Sequence, residues 1–226
     1  MMEGLYIKSI KCPACKKDFD VIKVKSNAFR VSTRDTDFCT YYEGVNPMFY
    51  DVWVCGNCGY ASQNEKFDQI RPAELDRITA NISSRWTKRS FAGERNIDAA
   101  IEAFKLALYN LQVRGAKQSD IAKVCMRIAW LYRMKNDEKE IEFLNFALSC
   151  YSDTYEKEKF PVDKLDESTC MYMIAELNRR VGNIAESIKW FSRVVSSPEA
   201  RKNRNLIEKA REQFQLVKDM ENKQSL

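Results

Sequence analysis

The stretch Cys55-Gly56-Asn57-Cys58-Gly59-Tyr60-Ala61 decides how the front of the chain is read, because Cys12-Pro13-Ala14-Cys15 precedes it with the same cysteine spacing. Two C-x-x-C pairs are a metal-site signal. A two-residue spacer lets the backbone turn tightly enough for both sulfurs to face one ion. Two such turns supply the four thiolates of a tetrahedral site, for which Zn²⁺ is the usual occupant. The chain contains no histidine, so a Cys₄ site of Cys12, Cys15, Cys55 and Cys58 is expected. Glycine after the second pair suits a turn that needs positive φ. Iron in a Cys₄ shell is the minor alternative. Two further readings are a redox switch using one pair as a dithiol and a chance meeting of core thiols.

Thirty-nine residues, Lys16 to Val54, separate the pairs. This exceeds the roughly 15–20 residues of the common pattern, so the spacer must carry structure of its own. Phe19–Val24 and Ala28–Thr33 read as strands around the turn-forming Lys25-Ser26-Asn27. Tyr50, Val52 and Val54 alternate with Asp51 and Trp53, which predicts a half-buried strand entering the second pair. The expectation is a small zinc-ribbon-like β module over residues 1–68. Aromatic and charged residues from Arg34 to Tyr50 serve either as a recognition surface or as cover for a thin core.

After Arg71-Pro72 the composition changes. Glycine and proline thin out, and apolar residues recur at helical spacing. Helices are expected at about 72–91, 97–114, 118–135, 138–157, 164–181, 184–196 and 203–222. Gly93, Gly115 and Gly182 sit at or near the breaks. The fold class is therefore α+β, mostly α: the cysteine module, then a helical domain over residues 72–226. If the module packs on the helix that starts at Pro72, the two form one unit.

Three helices share a pattern: Ala99–Leu108, Glu140–Leu148 and Ser187–Val195. Each has Ile, then a bulky apolar residue three later, then Ala or Val. The pattern resembles the second helix of a tetratricopeptide repeat. Aligned positions Ala107, Ala147 and Val194 lie 40 and 47 residues apart, against a tetratricopeptide period of 34. The repeats are thus degenerate, and an ordinary helical bundle is the competing description. The resemblance implies a concave groove lined by first helices. By alignment its positions would be Arg85 and Arg89, then Ala129, Tyr132 and Arg133, then Tyr172, Glu176, Arg179 and Arg180. That basic, tyrosine-bearing set suits an acidic peptide or protein partner; otherwise it is a solvated polar face.

Cys12-Pro13-x-Cys15, Asn46-Pro47, Cys55-x-x-Cys58-Gly59-Tyr60-Ala61 and the repeat-like tail together resemble the bacterial "domain of unknown function 2225" family. The resemblance covers nearly the whole chain. It implies a bacterial, cytoplasmic, metal-binding protein and brings no activity.

Composition narrows the function further. The net charge of +5 is mild and does not by itself imply nucleic acid. A stripe from Lys8 to Lys25 and the basic residues after 200 keep a nucleic-acid-associated zinc ribbon as the alternative function. No apolar run approaches the roughly 20 residues that span a bilayer, and no secretory leader is expected. Reduced thiols and a cytoplasmic setting follow. A full Cys₄ shell has no open position, and without histidine there is no ready proton shuttle. The chain is therefore expected to be a non-enzymatic adaptor, with a zinc-dependent or redox enzyme ranked last. Oligomeric state is not readable.

Overall fold

Each C-x-x-C pair sits in the turn of a β-hairpin. In the computed structural model, which describes residues 3–224, β1 (Leu5–Lys11) pairs antiparallel with β2 (Asp18–Val24), from Leu5 opposite Val24 to Lys11 opposite Asp18. The first pair lies in the connection. β3 (Phe29–Arg34) pairs with β4 (Thr40–Gly44), with a register slip between Val31 and Thr33. β5 (Val52–Val54) pairs with β6 (Ala61–Gln63), and the second cysteine pair forms their turn. Seven α-helices follow among the described residues, so the fold is α+β and mostly α.

The chain divides into two compact units. Among the described residues, the first comprises 3–34, 40–116 and 130–137; the second comprises 35–39, 117–129 and 138–224. The expected boundary near residues 68–72 is corrected, because α1 (Pro72–Asn81) and α2 (Ile97–Arg114) belong with the cysteine module. The physical reason is a shared core. Cys12, Cys55, Cys58, Tyr60 and Phe67 pack with Ile78 of α1 and Ile82 just beyond it. Two-stranded ribbons bury too little alone, since an isolated hairpin is marginal in water; α1 and Ile82 complete the core around the cysteine turns. A second cluster joins Leu5, Ile22, Val45 and Tyr50.

Local chemistry sets the helix ends. Asn96 caps α2 by accepting the Ala99 amide at 2.9 Å, and Gly115 closes it in the left-handed region. The expected helix over 72–91 is shorter: α1 stops at Asn81, and a 3₁₀ turn at Ser83–Arg85 leads into irregular chain. The expected strand from Tyr50 begins only at Val52. Asn46 accepts the Met48 amide at 3.0 Å and starts a 3₁₀ turn over Pro47–Tyr50. The buried pair Glu74 and Arg114 joins α1 to α2.

In the second unit, α4 (Lys139–Lys157), α5 (Glu167–Arg180), α6 (Ile184–Ser196) and α7 (Arg204–Gln224) pack in sequence. α3 (Gln118–Met134) contributes residues up to Ala129 to this unit, and its last turn is counted with the first. Leu144, Ile174, Leu177, Phe191 and Val194 are buried in the helical core. A short turn through Gly182 joins α5 to α6, and buried Ser187 donates to the Ala175 carbonyl at 2.9 Å. The helices expected from residue 118 onward are all present, with ends shifted by up to three residues; residues 225–226 of the expected helical domain lie outside the described ones.

Candidate metal centre

The two cysteine turns are built alike. The Lys16 amide donates to the Cys12 carbonyl at 2.9 Å, and the Gly59 amide donates to the Cys55 carbonyl at 2.9 Å. The Cys12 amide then reaches the Lys17 carbonyl, as the Cys55 amide reaches that of Tyr60. Both turns therefore need a left-handed residue after the second cysteine: Lys16 has φ 62° and Gly59 has φ 75°.

This doubled geometry brings the four Sγ atoms within 4.8 Å of one another. Cys12 and Cys58 are 3.7 Å apart, as are Cys15 and Cys55. Cys12, Cys55 and Cys58 are buried and Cys15 is half-buried. The four residues could hold one metal ion.

The protonation balance of the thiols fits a cation. Hydrogen bonds from Cys12 and then Cys58 hold the Cys55 thiol well below its ordinary range, and the amides of Asn57 and Cys58 add to this. The Cys12 thiol is pushed up to about 12, first by sharing with Cys55 and also by burial. Cys58 is raised too, by Cys12 and then Cys55. One thiolate is thus easy to form and further ones repel it. A divalent ion removes that repulsion and holds all four deprotonated.

The second turn is gripped from outside. Ser83 donates to the Cys58 carbonyl at 3.0 Å, and Asn110 of α2 donates to the Gly59 carbonyl at 3.2 Å. The Trp86 indole and the Arg89 amide both donate to the Gly56 carbonyl, at 2.9 and 3.3 Å. A Cβ on Gly59 would lie 2.6 Å from the Trp86 ring, and one on Gly56 would lie 2.4 Å from the Arg89 carbonyl. No sequence signal marked Ser83–Phe91 as this strap, because it reads as a continuation of α1.

The expected groove positions fare differently. Arg85 is exposed and Arg89 pairs with Glu102 at 2.6 Å, both on the strap. Ala129 and Tyr132 are buried, with the Lys105 ammonium 5.4 Å from the Tyr132 ring, and Arg133 is half-buried. In the second unit Tyr172 and Glu176 are fully buried, which corrects their assignment to an open groove. They do converge with Arg179 and Arg180 on an acidic peptide, but it is the chain's own Asp35–Cys39. Tyr172 donates to the Thr36 carbonyl at 2.8 Å, and the Thr36 hydroxyl donates to Glu176 at 2.6 Å. Arg180 lies 3.5 Å from Asp37 and 4.0 Å from Asp35. The Phe38 ring packs on that of Tyr172.

The fold and site define a mostly helical protein with an N-terminal four-cysteine module that could hold a metal ion. The chain belongs to the family described as "Uncharacterized protein conserved in bacteria (DUF2225)", whose model matches residues 5–217. No curated protein and no solved structure matches it. Among the described residues, no helix is long and apolar enough to cross a membrane.

Proposed function

We propose that the protein is a non-enzymatic adaptor in which a zinc ion on Cys12, Cys15, Cys55 and Cys58 is structural. The observation that carries this reading is the cluster of four sulfurs within 4.8 Å, formed by two matched turns. Zinc bound by thiolates at about 2.3 Å in a tetrahedron requires sulfurs about 3.8 Å apart, close to the 3.7 Å separations of Cys12–Cys58 and Cys15–Cys55. Iron suits the same donors and is the alternative occupant. Four thiolates fill the coordination shell, whereas a catalytic zinc keeps a position for water. The ion would fix the core shared by both hairpins, α1 and Ile82.

The helical hairpins, read as degenerate tetratricopeptide-like repeats, would present surface to a protein or acidic peptide partner. Arg133 keeps part of its surface exposed and is the member of the expected set to vary. The test is elemental analysis and native mass spectrometry of the purified chain, followed by capture of partners with and without nuclease. One zinc per chain, and a nuclease-resistant protein partner lost in Arg133→Glu, are expected. Absence of a stoichiometric metal overturns the structural-zinc reading. Metal-dependent turnover of a substrate, abolished by Cys55→Ser, overturns the non-enzymatic one.

A further inference from the structure

The cysteine cluster is flanked by two stretches that carry mainly positive charge, with Asp18 following the first and Glu102 pairing with Arg89 of the second at 2.6 Å. Lys11, Lys16 and Lys17 surround the first cysteine turn, within Lys11–Lys17. Arg85, Lys88 and Arg89 lie on the strap Ser83–Phe91 that grips the second. All six are exposed. The two stretches meet at the metal site, because Cys15 Sγ is 3.7 Å from Cys55 Sγ and the Arg89 amide is bound to Gly56.

Two further observations give this charge a use. The first is conformational. Lys16 holds the φ 62° position that its counterpart in the second turn fills with Gly59. A left-handed non-glycine residue costs roughly 1–2 kcal/mol, and such strain gathers at functional positions. Glycine at residue 16 would relieve the backbone and lose only the side chain, so Lys16→Gly isolates the role of the ammonium. The second is the aromatic surface between the charges. Trp86 and Phe91 are stacked with centroids 6.2 Å apart and are half-buried, and the Arg89 guanidinium lies 5.1 Å from each ring. Stacked rings beside spaced cations form the platform on which unpaired bases sit while phosphates meet lysine and arginine. An acidic peptide would meet the same cations, and competition between the two ligands separates them.

We infer that the face formed by the first cysteine turn and the strap Ser83–Phe91 binds single-stranded nucleic acid. The inference adds a ligand to the adaptor reading and rests on its metal-built fold. Phosphates would meet Lys16, Lys17, Arg85 and Lys88, and a base would stack against the Trp86–Arg89–Phe91 group.

The test is fluorescence anisotropy of a labelled 12-nucleotide oligouridine titrated with the metal-loaded full chain. Binding is expected to saturate at 50 mM salt. With four phosphate contacts on a single strand, affinity should fall about 20-fold by 150 mM. The double variant Lys16→Gly/Lys88→Ala should weaken binding about tenfold while metal content and thermal midpoint stay level or rise. Lys209→Ala, on α7, should bind as the parent does. No saturable binding, or equal affinity in the double variant, overturns the inference. So does a twelve-residue polyglutamate peptide that competes as well as the oligonucleotide. Metal stoichiometry measured on the same samples separates this failure from that of the zinc reading.

Discussion

Lys16 and Gly59 occupy equivalent places in the two cysteine turns, with φ of 62° and 75° and the same amide-to-carbonyl bond four residues back. Equivalence of backbone is not equivalence of tolerance. The Gly59 Cα faces the Trp86 ring, and a Cβ there would meet two ring carbons at 2.6 Å and Ile82 at 3.1 Å. Gly59→Ala combines left-handed strain with overpacking and is expected to cost about 2–4 kcal/mol. Lys16→Gly removes strain at an exposed position and should leave stability within about 1 kcal/mol of the parent. Thermal unfolding of both metal-loaded variants decides it. Equal midpoints would mean that the strap does not grip the second turn.

Metal removal should unfold the first unit. Its core is centred on the cysteines, and structural zinc supplies roughly 10–16 kcal/mol of apparent folding free energy in small modules. Cys12→Ser and Cys58→Ser are expected to lose the metal and the far-UV circular dichroism of the first unit. Chelation of the parent should do the same. Acid should release the ion, because protons compete for the thiolates whose deprotonation it requires. A serine variant with unchanged dichroism and unchanged metal content would contradict this.

What the sequence disclosed and what it withheld follow from the range of the interactions. The clustering of the four cysteines was legible because each pair carries its own turn, closed by hydrogen bonds within five residues. α2 was legible to the residue because Asn96 and Gly115 mark its ends locally. The end of α1 was not. The Trp86 indole and the Arg89 amide are held by Gly56, some 30 residues away, and no local rule stops a helix for that reason. Asp35–Cys39 lies in the stretch read as a recognition surface or as cover for a thin core, yet its partners Tyr172, Glu176 and Arg180 lie about 140 residues along the chain.

The ion pair between α1 and α2 gives a pH-dependent prediction. Arg114 Nη2 and Nε lie 3.0 and 3.2 Å from Glu74 Oε2, with both side chains buried. Burial alone would raise the Glu74 carboxyl, but hydrogen bonds from Arg71 and the Arg114 guanidinium outweigh it and hold the group below its ordinary range. A carboxyl depressed in the folded state adds stability above its unfolded value of about 4.3, and that contribution is lost as pH falls through the folded value. Glu74→Gln should cost about 3 kcal/mol at pH 7, since it leaves Arg114 buried without a counter-charge. Denaturant midpoints of both proteins at pH 7 measure the cost, and the Glu74 carboxyl carbon shift, followed by NMR as the pH is lowered while the ion is still bound, measures the titration; a carboxyl that titrates at or above the ordinary value of about 4.3 would show that the pair does not hold its charge in the fold.

Glu176 is the acid on which Asp35–Cys39 depends. It has no exposed surface and receives Arg179 Nη2 at 2.6 Å, Arg180 Nε at 2.8 Å and the Thr36 hydroxyl at 2.6 Å. A glutamine keeps the shape but cannot balance two guanidinium groups that are themselves largely buried. Breaking one side of a buried ion pair costs about 3–5 kcal/mol. Losing only the Thr36 hydroxyl, in Thr36→Val, should cost about 1–3 kcal/mol, because Glu176 keeps its arginines. The loss should appear first as local opening, since the segment is short and is held by this network, the Phe38 ring and the buried Asp37 and Cys39. Limited trypsin digestion reads this directly at the Arg34–Asp35 bond. Cleavage there should be fastest in Glu176→Gln, intermediate in Thr36→Val and slowest in the parent. Equal rates in all three would mean that the segment is held by its apolar contacts and not by the charges on α5.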